Sequence, residues 1–302
     1  MKRLQNVGVV LHPRRDSAEA IDAILRWAQR RGATVLGLPH EVSRIADHVV
    51  CVDPHDLAGK ADIVVSLGGD GTMLRAMRLA QPMGVPVLGV NLGRLGFLAE
   101  LDVPDLQAAL SAIDEHRFTV ESRVAILARF CGTSAIAFND VVLVRYPGGQ
   151  VGAVDVHVEG HRFVRYAADA VIVATPTGST AYSFSAGGPI ASPRAQGLLV
   201  VPSASHSSFN RTLFLSREER LELEVLPGSG RLAVEVDGEL AADTVCVGER
   251  VQIELGEPPG NVVRFGTTTF YQRVRRKLRL SDPAELDGAG PLDGAPSPDE
   301  AE

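Results

Sequence analysis

Residues 61–74 read ADIVVSLGGDGTML. The first seven place apolar residues on both strand faces, which is typical of a central parallel strand covered on each side. Three glycines follow within four residues, and a helix is predicted from about Thr72 to Ala80. A strand, a glycine turn and a helix in this order form the repeating unit of an open parallel sheet, so this stretch decides the fold of the first hundred residues.

The flanking sequence repeats this alternation and predicts an α/β domain with a parallel, Rossmann-like sheet over residues 1–117. Glycines also follow the next predicted strand, and that loop should lie beside the first because neighbouring parallel strands end at the same edge. The other predicted elements are strands at 7–11, 34–38 and 86–91 and helices after Ser17 and at 105–115.

From residue 118 onward, short valine, isoleucine and leucine runs recur about every ten residues and predict an all-β sandwich over 118–270. Turns such as Asp237-Gly238 separate them. A basic amphipathic segment follows within 271–284, and the acidic, Pro- and Gly-rich residues 285–302 predict a disordered tail. The strand-like runs are 124–129, 141–144, 154–158, 170–174, 198–201, 221–225, 232–236 and 251–255.

Charge and cysteine content exclude several classes of protein. The chain has 302 residues and a net charge of −7, and six of its acids lie in the tail, so the rest is nearly neutral and unlike a nucleic-acid module. Three cysteines without a CxxC pair argue against a thiolate zinc site and for a reducing compartment. The first apolar run stops at His12-Pro13, and no stretch reaches 18 apolar residues, so we expect a cytoplasmic protein without a membrane anchor.

The glycine loop, residues 68–71, is the first candidate site. Gly68, Gly69 and Gly71 would let backbone N–H groups approach a phosphate at a helix N-terminus, with Thr72 beside them. The alternative is a tight turn in which Asp70 or Thr72 caps the helix. A carboxylate among phosphate-binding glycines is unfavourable unless it binds a metal, takes a proton or orients a hydroxyl, so Asp70 is a candidate catalytic residue.

Two common nucleotide motifs are absent from the sequence. The only Gly-Lys pair is followed by Ala61, where a Walker loop needs Ser or Thr. A Rossmann G-x-G-x-x-G starting at Gly68 would need glycine where this chain has Asp70.

Arg75 lies one turn into the predicted helix and is either a phosphate contact or a solvent-facing arginine.

The second candidate site is residues 174–189, which read ATPTGSTAYSFSAGGP. Six hydroxyl side chains lie between Thr175 and Ser183, a composition that a surface loop could also have. The stretch runs without charges into Tyr182, whose ring is suited to hold a ribose, an amide or a base.

These motifs together resemble the NAD kinase family. The family carries a GGDG loop, an Asn-Glu pair and a T-P-T-G-S-T-A-Y-S-x-S-A-G-G-P signature, to which residues 68–71, Asn139-Asp140 and 175–189 correspond here. The resemblance runs from about residue 7 to residue 280. It implies ATP-dependent phosphorylation of the adenosine 2′-hydroxyl of NAD, two domains with a C-terminal segment returning to the first, and homodimers or homotetramers with sites shared between subunits.

The resemblance also implies roles for individual residues. Asp70 would be the base, Gly71 and Arg75 would line its pocket, and Mg²⁺ or another divalent cation would bridge the ATP phosphates without an identified protein ligand. Asp169 would contact the nicotinamide ribose or carboxamide. The other implied NAD contacts are Asn139, Asp140, Ala167, Thr180, Ala181, Tyr182, Ser183, Phe184 and Ser185, and the implied phosphate contacts are Gly68, Gly69, Gly71 and Thr72.

The chain departs from the family pattern at three places. Asp140 is one methylene shorter than the usual glutamate, and Ala168 and Ala170 flank Asp169 where a glycine is usual. Ala167 stands where relatives carry arginine or glycine, and its small side chain predicts that NADH is accepted beside NAD. Inorganic polyphosphate remains an alternative donor to ATP.

Two other functions are compatible with parts of the sequence. A lipid kinase of the diacylglycerol kinase type shares the glycine loop and the sandwich, but the polar stretch 175–185 argues against it. A dinucleotide-binding regulator that has lost catalysis is the non-enzymatic alternative, and the presence of Asp70 argues against that.

Overall fold

The computed structural model describes residues 4–43, 45, 48–93 and 96–280. Within them, the strands are β1 Asn6–Leu11, β2 Thr34–Gly37, β3 Val49–Cys51, β4 Ile63–Gly68, β5 Pro86–Asn91, β6 Leu101–Asp102, β7 Thr119–Phe130, β8 Thr133–Ala137, β9 Asp140–Arg145, β10 Gly152–Val158, β11 His161–Ala168, β12 Ala170–Ala174, β13 Gly197–Ser203, β14 Leu213–Ser216, β15 Leu221–Val225, β16 Leu232–Val236, β17 Glu239–Val245 and β18 Arg250–Arg264. The helices are α1 Ala18–Arg31, α2 Pro39–Val42, α3 Leu57–Lys60, α4 Asp70–Ala80, α5 Leu106–Asp114, α6 Tyr182–Ser185 and α7 Phe270–Leu278.

Strand β4 is the centre of the parallel part of the fold. All six of its residues are buried, and it pairs in parallel with β1 on one side and β5 on the other. Its alternating side chains enter two different cores. Ile63 packs towards α1 and α5, and Val64 packs towards α3 and α4. The predicted parallel sheet with helices on both faces is confirmed.

Strand β18 joins the parallel and antiparallel parts of one twelve-stranded sheet. Its last residues pair in parallel with β5, while it also pairs antiparallel with β7 and β15. The second sheet has six antiparallel strands in the order β14-β13-β12-β9-β16-β17 and packs on the antiparallel part of the first. The sandwich is confirmed, and its first sheet is continuous with the sheet of the α/β half.

The short elements β3, α2 and α3 were not predicted, because runs of three or four residues carry no readable periodicity. Helix α4 begins at Asp70, two residues before the predicted start, and Gly69 holds its N-cap position. Neither Asp70 nor Thr72 is therefore the cap. Ser17 does hold the N-cap position of α1, but its side chain makes no capping bond there.

A second compact unit begins at Thr267 and contains α7, which opens with a capping box between Thr269 and Gln272. The basic segment is thus a helix, while its return to the first domain stays a prediction, as do the domain boundaries. The predicted tail, residues 285–302, lies outside the described residues. None of the helices in the described part of the chain is long and apolar enough to cross a membrane.

Candidate active site

The carboxylate of Asp70 is fixed at the carboxyl edge of the parallel sheet. It stands in the first turn of α4, where Oδ2 accepts a hydrogen bond from the Phe97 N–H and Oδ1 accepts one from the Leu98 N–H, each at 3.0 Å. A methyl group on Gly96 would lie 2.1 Å from Asp70 Oδ1, so only glycine permits this approach. The loop after β5 therefore lies against the glycine loop, as the sequence predicts.

The three glycines of the glycine loop differ in the space around them. A Cβ on Gly68 would lie 2.2 Å from Thr72 Oγ1, so Gly68 is required by packing inside the protein. A Cβ on Gly69 or Gly71 would meet nothing within 4 Å. Their backbone therefore borders open space at the start of a helix, which is the arrangement that binds phosphate.

Arg75 is held by the protein itself. Its Nη2 donates to the Leu11 carbonyl at 2.6 Å and forms an ion pair with the buried carboxylate of Glu41. Glu41 also accepts a hydrogen bond from the Leu11 N–H at 2.9 Å. The guanidinium thus ties α4 to the end of β1 while its side chain stays 37% exposed, and the predicted ligand contact remains a prediction.

Asn139 and Asp140 are held by an acid that sequence reasoning treated only as part of a turn. Oδ1 of Asp237 accepts from the main-chain N–H groups of Phe138 at 3.0 Å, Asn139 at 2.7 Å and Asp140 at 3.3 Å. The Asp237 side chain is 1% exposed and pairs with Arg78 Nη1 at 2.7 Å. No local sequence pattern reveals these contacts, because the partners are about 100 or more positions apart.

The Asp140 carboxyl is buried, and its surroundings disfavour the charged form. Burial raises its pKa to about 7, and the negative charges of Asp237 and Glu235 add to the rise. The N–H of Tyr182 donates to the carboxylate and acts in the opposite direction. Near neutral pH, this carboxyl is therefore divided between its two protonation states.

Several hydroxyls of the segment 175–185 shape the segment rather than point outward. Thr175 Oγ1 donates to the Phe138 carbonyl at 2.5 Å and accepts from the Gly178 N–H at 3.0 Å. Ser179 Oγ donates to the Pro176 carbonyl at 2.7 Å. Since Thr175 N–H also donates to the Asn139 carbonyl at 2.9 Å, these bonds pack the segment on the Asn139-Asp140 pair.

The far part of the same segment is open. Tyr182 and Phe184 are each 39% exposed, Ser185 is exposed, and Thr180 and Ala181 are partly buried. The Ser183 hydroxyl is buried and has no hydrogen-bond partner among the described residues. Two accessible aromatic rings and one buried, unsatisfied hydroxyl leave the segment able to bind a polar aromatic ligand.

Asp169 lies at the opposite end of the second sheet, and Ala167 lies two residues before it in β11 of the first sheet. Asp169 precedes β12 and pairs with Arg145 Nε at 2.5 Å, whereas Asp140 lies opposite Ala174 at the other end of β12. Five residue rises of about 3.3 Å put Asp169 about 17 Å from Asp140 along the sheet. Ala167 lies near Asp169 in β11, where its N–H donates to Ser207 Oγ at 2.9 Å. Within one chain, these two residues are not brought to the Asp70 cluster.

A buried ion pair supports the loop that holds Asp70. Glu100 has a side chain with no exposed surface, accepts from Arg264 Nη1 at 2.7 Å and accepts from the Phe265 N–H at 2.9 Å. Arg264 Nη1 also donates to the Leu98 carbonyl at 3.0 Å. This pair was not predicted, because Glu100 and Arg264 are 164 positions apart.

Comparison with known proteins agrees with this architecture. Residues 7–118 match the ATP-NAD kinase N-terminal domain, and residues 138–265 match the ATP-NAD kinase C-terminal domain. NAD kinase 1 of Streptomyces avermitilis is 37% identical over 328 aligned residues, which cover 95% of this chain and 91% of the relative.

Two solved structures share the fold. Yeast NADH kinase complexed with NADH has a TM-score of 0.79 and 25% identity, covering 96% of this chain and 90% of that one. An NAD kinase from Archaeoglobus fulgidus in complex with ATP has a TM-score of 0.72 and 24% identity, covering 91% of this chain and 99% of that one. The family matches span both halves of the chain and include each motif of the site, and the chain belongs to the NAD kinase family.

Proposed function

We propose that the protein transfers the γ-phosphoryl group of ATP to the 2′-hydroxyl of the adenosine ribose of NAD, giving NADP and ADP. The observation that carries this is Asp70, a carboxylate fixed by two backbone N–H groups at the edge of a glycine loop with open space beside Gly69 and Gly71. Family membership makes a lipid kinase the less favoured interpretation.

Asp70 would act as the general base of this reaction. It takes the proton of the ribose 2′-hydroxyl as that oxygen attacks the γ-phosphorus, and the bond from the γ-phosphorus to the bridging oxygen breaks to release ADP. The two N–H groups on its oxygens fix the direction of the remaining lone pairs, so little reorganisation is needed.

The glycine loop would hold the phosphate chain of ATP. The backbone at Gly69 and Gly71 has room for it, and the N-terminus of α4 favours its negative charge. When bound, Mg²⁺ or another divalent cation would neutralise the phosphate oxygens. Thr72 is buried, so its contribution would come through its main chain.

The adenosine part of NAD would be held by the second cluster. Asp140 and Asn139 supply acceptors and donors for ribose hydroxyls and the base, and the exposed ring of Tyr182 supplies a stacking surface. Phe184 and Ser185 of α6 are exposed as well. The retained base argues against a regulator that only binds the dinucleotide.

Asp169 and Ala167 would contact the nicotinamide part of NAD from a second subunit. At about 17 Å from Asp140 along β12, Asp169 stands beside a different part of the surface from the Asp70 cluster. We therefore propose a homodimer or homotetramer in which each site takes these two residues from a neighbour. A cytoplasmic location is part of the same proposal.

The test is an assay of the purified protein with ATP, Mg²⁺ and NAD, in which NADP formation is followed by a dehydrogenase specific for NADP. Formation of one NADP for each ADP is the expected result, and binding of NAD without any NADP would favour the regulator instead. Parallel reactions with NADH and with inorganic polyphosphate determine which acceptor and which donor this protein uses.

A further inference from the structure

The end of α4 is bound to the segment that carries Asn139 and Asp140. Arg78, in the last turn of α4, donates a hydrogen bond from Nη1 to Asp237 Oδ2 at 2.7 Å. The other oxygen of Asp237, Oδ1, accepts hydrogen bonds from the main-chain N–H groups of residues 138–140. The Asp237 N–H in turn donates to the Asp140 carbonyl at 2.9 Å. The link between the helix and the segment thus runs through one buried carboxylate.

Packing around this link is tight. The ring of Phe138 is fully buried, and a Cβ on Gly260 would lie 2.4 Å from it and 2.9 Å from Met77 Cε of α4. The segment is closed on its other side by Thr175, whose hydroxyl and N–H bind the carbonyls of Phe138 and Asn139. The main chain of 138–140 therefore has little freedom as long as Asp237 keeps its place.

The charge on Asp237 needs a partner. The Asp237 side chain is 1% exposed, and its oxygens accept hydrogen bonds from three main-chain N–H groups and from Arg78. Arg78 has a 22% exposed side chain and also reaches Glu239, which is 74% exposed. Of these two contacts among the described residues, the one with Asp237 is buried, and it holds the guanidinium of Arg78 in place.

We infer that Arg78 and Asp237 are positioning residues for NAD, which hold the main chain of Asn139 and Asp140 at a fixed place relative to the helix that begins with Asp70. Eight residue rises of about 1.5 Å separate Asp70 from Arg78, so one rigid helix of about 12 Å connects the base to the adenosine-binding segment. The inference rests on the proposed function, since it assigns these residues to the NAD site.

The first test is calorimetric titration of the full-length protein with NAD, without ATP, for the wild type and Arg78→Gln. Loss of a charge-assisted hydrogen bond to the carboxylate should weaken NAD binding about tenfold. In turnover assays, the KM for NAD should rise while the KM for ATP and kcat stay close to wild type. Arg250→Gln is the matched control, because Arg250 pairs with Glu222 and Glu224 away from the site and should alter NAD binding less than about twofold.

The second test is the pH dependence of the same binding constant. Asp140 is faced by Glu235 of β16 and by Asp237, and Arg78 of α4 lies behind Asp237. The pKa of Asp140, about 7, should set the pH at which NAD binding by the wild type is halfway through its change. Arg78→Gln leaves Asp237 uncompensated and should move the midpoint upward. Asp237→Asn removes a negative neighbour and should move it downward, while Arg78→Lys, which keeps the charge, should restore the wild-type midpoint.

The outcomes separate the two proposals. A wild type that does not bind NAD overturns the proposed function and this inference together. A wild type that binds NAD, with Arg78→Gln equally tight at every pH, overturns the inference alone. If Arg78→Gln instead lowered kcat about tenfold and left the KM for NAD unchanged, Arg78 would have a purely structural role. That result would also overturn the inference. Should Asp237→Asn fail to fold, the two Arg78 variants decide the question.

Discussion

At Asp70, the oxygens that hold the loop after β5 are also the oxygens that would take the proton. Asp70→Asn should lower kcat by roughly 10²–10⁴-fold, which is the usual contribution of a positioned base. Because the amide would direct an NH₂ group at the N–H of Phe97 or Leu98, we also expect a loss of about 1 kcal/mol in the free energy of unfolding. Steady-state kinetics and urea unfolding measure the two effects separately.

The kinetic and the stability measurements on Asp70→Asn test different roles of the carboxylate. A stability loss with turnover near the wild-type value would show that the carboxylate serves only the loop. Asn91→Ala is unsuitable as a control because Asn91 lies in the same edge of the sheet, whereas Arg129→Gln breaks the distant pair with Glu254 and should leave kcat unchanged.

Asp140 makes the stability of the fold depend on pH. Its pKa is about 7 in the folded chain against an ordinary 3.8, so between these values the folded state holds a proton that the unfolded chain has released. Stability therefore falls as the pH rises through this window, by up to about 4 kcal/mol. Asp140→Asn cannot ionise, and its stability relative to wild type should grow between about pH 4 and about pH 7. Urea unfolding at several pH values measures this, and a constant difference would contradict it.

Ala167 is expected to set which form of the dinucleotide is accepted. The reduced nicotinamide ring is neutral and puckered, the oxidised ring is a planar cation, and a methyl group excludes little volume. We therefore expect NADH to be phosphorylated beside NAD, and Ala167→Arg to lower kcat/KM for NADH relative to NAD. A wild type that ignores NADH, or a ratio that the arginine does not move, would remove Ala167 from this role.

Residues were predictable where chemistry conflicts with local context. Asp70 is such a residue, because a carboxylate is unexpected among glycines that are predicted to bind phosphate. Asp237 and Arg78 carry no such conflict, since Asp-Gly is an ordinary turn and an arginine near a helix C-terminus is favourable. Their meaning depends on contacts 97 to 159 positions apart, which no local pattern contains.

At the scale of elements, several strands were predicted with their bounds. β5, β12, β15 and β16 have the predicted bounds, because valine-, isoleucine- and leucine-containing runs between turn residues are local signals. The role of β18 was not predicted. A strand that is antiparallel to β7 and parallel to β5 has its partners specified by the whole fold, so its sequence reveals a strand but not the join between two sheets.

The hydroxyl-rich segment shows a related limit. Its composition predicts a polar binding surface, yet the hydroxyls of Thr175 and Ser179 donate hydrogen bonds to nearby main-chain carbonyls. Such side-chain to backbone bonds are typical of Ser and Thr in turns. The part of this element that is open to a ligand is its later part, where Tyr182 and Phe184 are exposed, and the motif does not reveal which of its polar atoms are accessible.

At the scale of the whole molecule, the separation of Asp169 from Asp140 along β12 predicts complementation between subunits. In a shared site, Asp70 of one subunit acts with Asp169 of another, so Asp70→Asn and Asp169→Ala should each be poorly active alone. A mixed dimer has one site with both residues intact and one with neither. Random pairing after co-refolding should then restore roughly a quarter of the wild-type activity. The measurement is NADP formation against the mixing ratio, with two Asp70→Asn preparations mixed as the control. If both residues served a site within one chain, every site in the mixture would lack one of them, and mixing would restore nothing.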